Sequence, residues 1–132
     1  MTSSWLIRFM SDRALWEGQY VDLWTIPHVI SGALIAYVLV GLGLDFWQGL
    51  GVSVIIGSAW ELFEKFTTLS YTEYVSNSFA DIAFAQVGFI LFFYVFHGLR
   101  PLHGRVLAVV LLVLFLASVL LGWISYTYYR SV

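Results

Sequence analysis

Long apolar runs separated by short polar breaks dominate the chain. The runs extend from about Ile26 to Leu44, Phe46 to Phe66, Phe79 to Leu99 and Val106 to Tyr126, each close to the ~20 residues a helix needs to cross a hydrocarbon core. The breaks have terminator chemistry. Pro27 falls in an opening turn, where its missing N–H is harmless. Gly41, Gly43 and Asp45 make a very short turn, and Asp45 followed by Gln48 has capping-box spacing for the next helix, so the first two runs read as an antiparallel hairpin. A polar connection from Thr67 to Asn77 carries Tyr71, Glu73 and Tyr74 as interfacial anchors. Gly98, Pro101 and Gly104 close the third run, with His97, Arg100, His103 and Arg105 around the turn. The fourth is nearly all aliphatic, with a packing stripe of Ser118, Gly122 and Ser125, and is expected to be the most lipid-exposed.

Residues 1–22 precede these runs. They contain Arg8, Asp12, Arg13 and Glu17 and lack the continuous apolar core and small-residue cleavage site of a signal peptide. Trp5, Phe9, Trp16 and Tyr20, with Leu6 and Met10 beside them, suit a short helix lying among headgroups. The expected fold is therefore all-α: a compact four-transmembrane-helix bundle with a short N-terminal interfacial helix, forming one membrane domain over 1–132. Arg8, Arg13, Lys65 and Arg130 fall on the side of the termini, against Arg100 and Arg105 opposite. This bias predicts cytoplasmic termini in a multi-pass protein of a bacterial inner membrane.

Composition supports the membrane reading and removes other classes. Of 132 residues, 61% are hydrophobic and 11% charged, with a mean hydropathy of +0.87, far from a water-soluble domain. A formal charge of -2 offers no basic surface for nucleic acid. The chain has no cysteine, which excludes thiolate metal sites, iron–sulfur clusters, disulfides and thiol nucleophiles.

The second run carries the candidate chemistry. Gly49, Ser53 and Gly57 recur every fourth residue and lead into Glu61, with Glu64 one turn later. Small residues let a neighbouring helix approach, whereas a glutamate facing lipid costs a few kcal/mol and turns inward. Alternating helix direction places the start of run one, the end of run two and the start of run three at one membrane face, so His28, Glu61, Glu64, Asn77 and Asp81 are expected to share one depth. Tyr20 and Asp22 are positioned to close over them. Two chemistries suit the group: a divalent metal bound by Glu61, Glu64 and Asp81 with His28 as nitrogen donor, or proton exchange between Glu61 and His28 as general acid and base. Asp22, Glu64, Asn77 and Asp81 would contact a ligand in either case. Plainer readings compete. Ser78 and Asp81 have capping-box spacing, Glu64 beside Lys65 suits an exposed helix end, and His28 can hydrogen-bond near headgroups. The basic corner at Arg100, Pro101, His103 and Arg105 suits phosphate contact, by anchoring or as a lipid-headgroup site.

These residues also resemble the small polytopic bacterial membrane proteins of the YjdF-like and VanZ-like type. His28 with Gly32, Glu61 with Glu64, and Asp81 with Gly88 match in order and in helix position, over about Asp22 to Gly88. The chain departs from the pattern in lacking the Lys after the early Asp and the second Asp before Asp81, and in placing Asn77 before Asp81. The resemblance implies a polar site at His28, Glu61, Glu64 and Asp81 and an envelope setting, since VanZ-like proteins are associated with glycopeptide tolerance.

Three functions are compatible with this pattern. The first is a membrane-embedded site binding or acting on an amphiphilic or lipid-linked ligand; no nucleophile elbow, P-loop or HExxH pattern points to a particular reaction. The second is a non-enzymatic accessory subunit of a larger membrane complex, contacting lipid, quinone, carotenoid or chlorophyll through its 19% aromatic residues, with His28 or His97 as an axial ligand to a pigment. The third, a proton or ion conductor using Glu61 and Asp81, lacks a continuous relay of polar residues beyond one face.

Overall fold

The computed structural model describes residues 13–16, 18–67 and 74–131. The interfacial-helix positions before Arg13, together with Glu17, Tyr71 and Glu73, lie outside the described residues. The described residues form five helices and no strand: α1 (Arg13–Trp16), α2 (Thr25–Gly41), α3 (Phe46–Phe66), α4 (Val75–Gly98) and α5 (Pro101–Ser131). The protein is all-α, and α4 and α5 are long and apolar enough to cross a membrane.

The helix ends follow from local chemistry, and several differ from the expected bounds. α2 stops at Gly41 rather than Leu44. Gly43 takes φ +78°, a region that suits a residue without Cβ. The Gly43 N–H then donates to Val40 O at 3.0 Å and the Leu44 N–H to Leu39 O at 3.1 Å, closing the helix in a Schellman arrangement. Asp45 starts α3 at once: its Oδ1 accepts the Gln48 N–H at 2.9 Å, and its own N–H donates to Gln48 Oε1 at 3.3 Å. The expected capping box is present.

α4 begins at Val75 rather than Phe79, with Tyr74 as N-cap. Ser76 and Asn77 fall in the expected polar connection and Ser78 at the expected cap, yet all three lie in the first turn of the helix; Asn77 and Ser78 are buried there. Ser78 is therefore no N-cap, and Asp81 lies inside the helix instead of capping it. α5 begins at Pro101 rather than Val106, with proline again in a first turn where no N–H is required. Gly104 continues that helix, buried beside Phe96. Farther along, Gly122 and Ser125 are buried and Ser118 is half-buried.

The principal packing pair is α2 with α4; α3 rests on α4 and α2, and α5 rests on α2. α2 and α4 run parallel, with His28 near Asp81, Gly32 against Ala85 and Tyr37 against Phe96. Their backbones meet without intervening side chains. A Cβ at Gly32 would run into the carbonyl oxygen of Ala85, and a Cβ at Gly88 into that of Val29. Ala33, Ala36 and Ala85 are fully or nearly fully buried around this notch. Beyond it α4 switches to Phe89, Phe93 and Phe96, which with Leu39, Ala108 and Leu111 form an aromatic core. Phe46 at the start of α3 packs edge-on against Phe93 at 5.4 Å, tying the hairpin to that end. The small-residue stripe of α3 faces α4, with Gly49 under Phe89 and Gly57 beside Ile82 and Gln86.

Substituting alanine at Gly32 or Gly88 forces the helices apart and is expected to destabilise the protein by about 1–3 kcal/mol. Gly51, which meets nothing within 4 Å of its Cβ position, should tolerate alanine without loss. Unfolding of the purified protein in detergent, followed by circular dichroism, checks both.

Candidate functional site

Three helices bring one group each to a single point. His28 stands in the first turns of α2, Glu61 near the end of α3, and Asp81 in the second turn of α4. His28 Nε2 lies 3.5 Å from Asp81 Oδ2 and 4.0 Å from Glu61 Oε1. The two carboxyl groups are 1% and 5% exposed for Asp81 and Glu61 respectively, a degree of burial that such groups reach where they are paired, liganded or protonated. The Gly32/Gly88 contact sets the His28–Asp81 spacing, because Asp81 and Ala85 are successive turns of α4 facing His28 and Gly32 on α2. The stripe Gly49, Ser53, Gly57 carries Glu61 to the same place along α3.

Around this point lies a hydrogen-bonded support. Asn77, one turn before Asp81, donates through Nδ2 to Asp81 Oδ2 at 3.1 Å and to Asp22 Oδ2 at 3.3 Å. Asp22 also accepts the Trp24 N–H on Oδ1 at 2.9 Å and the Gly18 N–H on Oδ2 at 3.2 Å. It thereby shapes the turn into α2 in the manner of an Asx turn. Ser76 adds a second tie between the segments, its Oγ donating to Gln19 O at 2.6 Å.

The site opens into a cavity of about 380 Å³. Asp22, His28, Ser31, Glu61, Glu64 and Asp81 line it near the helix ends with Ile82 beside them, while Ile35, Ile56, Ala85, Phe115 and Val119 line it deeper. Trp16, Trp24, Trp60 and Trp123 complete the wall. The cavity exists because α3 and α5 each pack on the central pair and share no substantial surface with each other.

Not every expected residue has the expected place. Glu64 is half-buried and lines the cavity, so it is no fully exposed helix end. It nevertheless stands outside the set His28, Glu61 and Asp81, whose donor atoms all lie within 4.8 Å of one another. Tyr20 is 59% exposed and does not line the cavity. His97, Arg100, His103 and Arg105 are exposed at the far end of α4 and the start of α5, away from the site. The four tryptophans of the wall were not legible as site residues, because an interfacial belt accounts equally well for tryptophan near a helix end. One signal was present for Trp24: Gly122 on α5 is the notch that receives its ring, where a Cβ would approach Trp24 Cη2 to 2.6 Å. Trp16 then meets Trp24 edge-on at 6.2 Å.

No protein-family model matches this chain, and no curated protein or solved structure shows a significant match to it.

Asn77→Ala removes the amide shared by Asp22 and Asp81. Hydrogen bonds to charged groups contribute about 1.5–3 kcal/mol, so a loss of that order is expected in the same unfolding measurement. Ser76→Ala, which removes one partly solvated bond, should cost about 1 kcal/mol or less.

Proposed function

We propose that this is a multi-pass membrane protein whose four long helices cross the bilayer, and that its cavity binds an amphiphilic or lipid-linked ligand. The polar head of that ligand sits at His28, Glu61 and Asp81, and its apolar part lies along the deeper wall. One observation carries the reading: a cavity of about 380 Å³ with carboxylates and an imidazole at its outer end and isoleucine, phenylalanine and valine farther in. That gradient matches a molecule with one wet end and one dry end. Two helices of spanning length and composition support the membrane setting. The separation of α3 from α5 gives an acyl chain a lateral way in. The residues that line the polar end are also those on which the resemblance to YjdF-like and VanZ-like proteins rests, so an envelope lipid or lipid-linked precursor is the ligand class this reading favours. Acid and base chemistry between Glu61 and His28 is one use of the site, and the reading holds equally for a protein that binds its ligand without converting it.

Four tryptophans in the wall supply the assay. An amphiphile brominated along its chain should quench tryptophan fluorescence in the purified protein, saturably and above the level produced by bulk detergent. Ser31→Phe fills the cavity, and the hydroxyl it removes only donates to the His28 carbonyl oxygen of its own helix. Glu61→Gln removes charge at the polar end; a charged hydrogen bond of about 1.5–3 kcal/mol corresponds to roughly ten- to a hundredfold in affinity. Both variants should weaken saturable quenching by at least about tenfold. Unchanged quenching in both, in folded protein, contradicts the reading.

A further inference from the structure

We infer that His28 Nε2 and the carboxylates of Glu61 and Asp81 form a binding site for a divalent transition metal, with zinc or manganese as the best-suited ions. Metal–nitrogen and metal–oxygen bonds of about 2.1 Å in tetrahedral array hold their donors roughly 3.4 Å apart. The donors here stand at 3.5 and 4.0 Å from His28 Nε2, and all three lie within 4.8 Å of one another. These separations are close to the spacing of ligands around one ion.

The donor set selects the metal. An imidazole nitrogen with two carboxylate oxygens suits zinc or manganese, whereas calcium requires six to eight oxygens and magnesium keeps most of its water. Nε2 faces both carboxylates, so ligation takes the tautomer with its proton on Nδ1.

Placement and support distinguish this set from a chance meeting of polar groups. Each donor comes from a different helix, and two of those helices are held in backbone contact by Gly32 and Gly88. Asn77 donates to Asp81 Oδ2 and links it to Asp22, the kind of outer partner that orients a ligating carboxylate. Two carboxylates at 5% and 1% exposure form a site that a dication stabilises far better than water does. Three protein donors leave a coordination position toward the cavity, as in metal sites that meet an exchangeable ligand. The metal site stands on its donors. That the open position receives the headgroup of an amphiphile rests on the function proposed above.

The test uses the full chain purified in detergent, treated with a chelator, and titrated calorimetrically with zinc chloride and manganese chloride in separate runs. One equivalent of at least one of them per chain is expected, with calcium chloride binding at least about a hundredfold more weakly. His28→Ala, Glu61→Gln and Asp81→Asn should each weaken binding by at least about tenfold, and Asn77→Ala by about ten- to a hundredfold. His103→Ala, at the exposed far end, should leave it unchanged. Cobalt provides a second readout: the d–d absorption of a bound cobalt ion should appear in the original protein and be lost in Glu61→Gln. No stoichiometric binding of zinc or manganese, or binding abolished by His103→Ala and indifferent to Glu61→Gln, overturns the site. Saturable quenching by the brominated amphiphile in chelated protein that takes up neither metal overturns the metal and leaves the cavity reading intact. Metal uptake without amphiphile binding does the reverse.

Discussion

The backbone contact between α2 and α4 is the constraint on which the rest of the molecule depends. Helices with ordinary side chains between them stand 8–10 Å apart; Gly32 and Gly88 remove those side chains at the crossing, and each faces a carbonyl oxygen of the other helix. Where two apolar helices gain little from hydrophobic association, such close packing supplies much of the attraction. It also determines position. With Gly32 seated against Ala85, the preceding turns put His28 opposite Asp81, and a slip of one residue along either helix would turn the two side chains away from each other.

From that contact the site follows by addition. α3 enters through a short turn closed by Gly43 and capped by Asp45. Its small-residue stripe lies on α4, and Glu61 arrives at the level of His28. α5 packs on α2 instead of on α3, and the space between α3 and α5 is the cavity. The energetics run the same way. Burying Asp81 and Glu61 side by side costs several kcal/mol unless each finds charge or hydrogen bonds. The structure surrounds them with the His28 imidazole and the Asn77 amide instead of hiding them from each other. Ionisable groups buried in this way add little to stability, which makes them candidates for function.

Much of this was legible in the residues, and what was not has physical causes. The hairpin turn was readable because Gly43 and the Asp45/Gln48 pair each have one strong local preference. The meeting of His28, Glu61, Asn77 and Asp81 at one end of the helices followed from alternating helix direction and required no contact information. The start of α4 is hidden in the sequence because Ser76 and Asn77 look like a loop when judged by polarity. Their polarity instead meets Gln19, Asp22 and Asp81, and such tertiary partners leave no trace in a local pattern. Glu64 illustrates the same limit: i, i+3 spacing brings it near Glu61, but only the packing of α3 shows that it faces the cavity while staying outside the donor set. Gly32 and Gly88 stood in the sequence as parts of separate motifs, and that they oppose each other became visible only once α2 and α4 were paired.

The most direct measurement of this account is the distance between the His28 imidazole and the Asp81 carboxyl in a lipid bilayer. It can be read by solid-state nuclear magnetic resonance from the nitrogen–carbon dipolar coupling of protein labelled at histidine nitrogen and aspartate carboxyl carbon. With Nε2 at 3.5 Å from Oδ2, a measurable through-space coupling is expected in the original protein, absent after Asp81→Asn and much reduced after Gly32→Leu. A folded bilayer sample without that coupling, or a coupling indifferent to Gly32→Leu, would contradict the claim that the glycine contact builds the site.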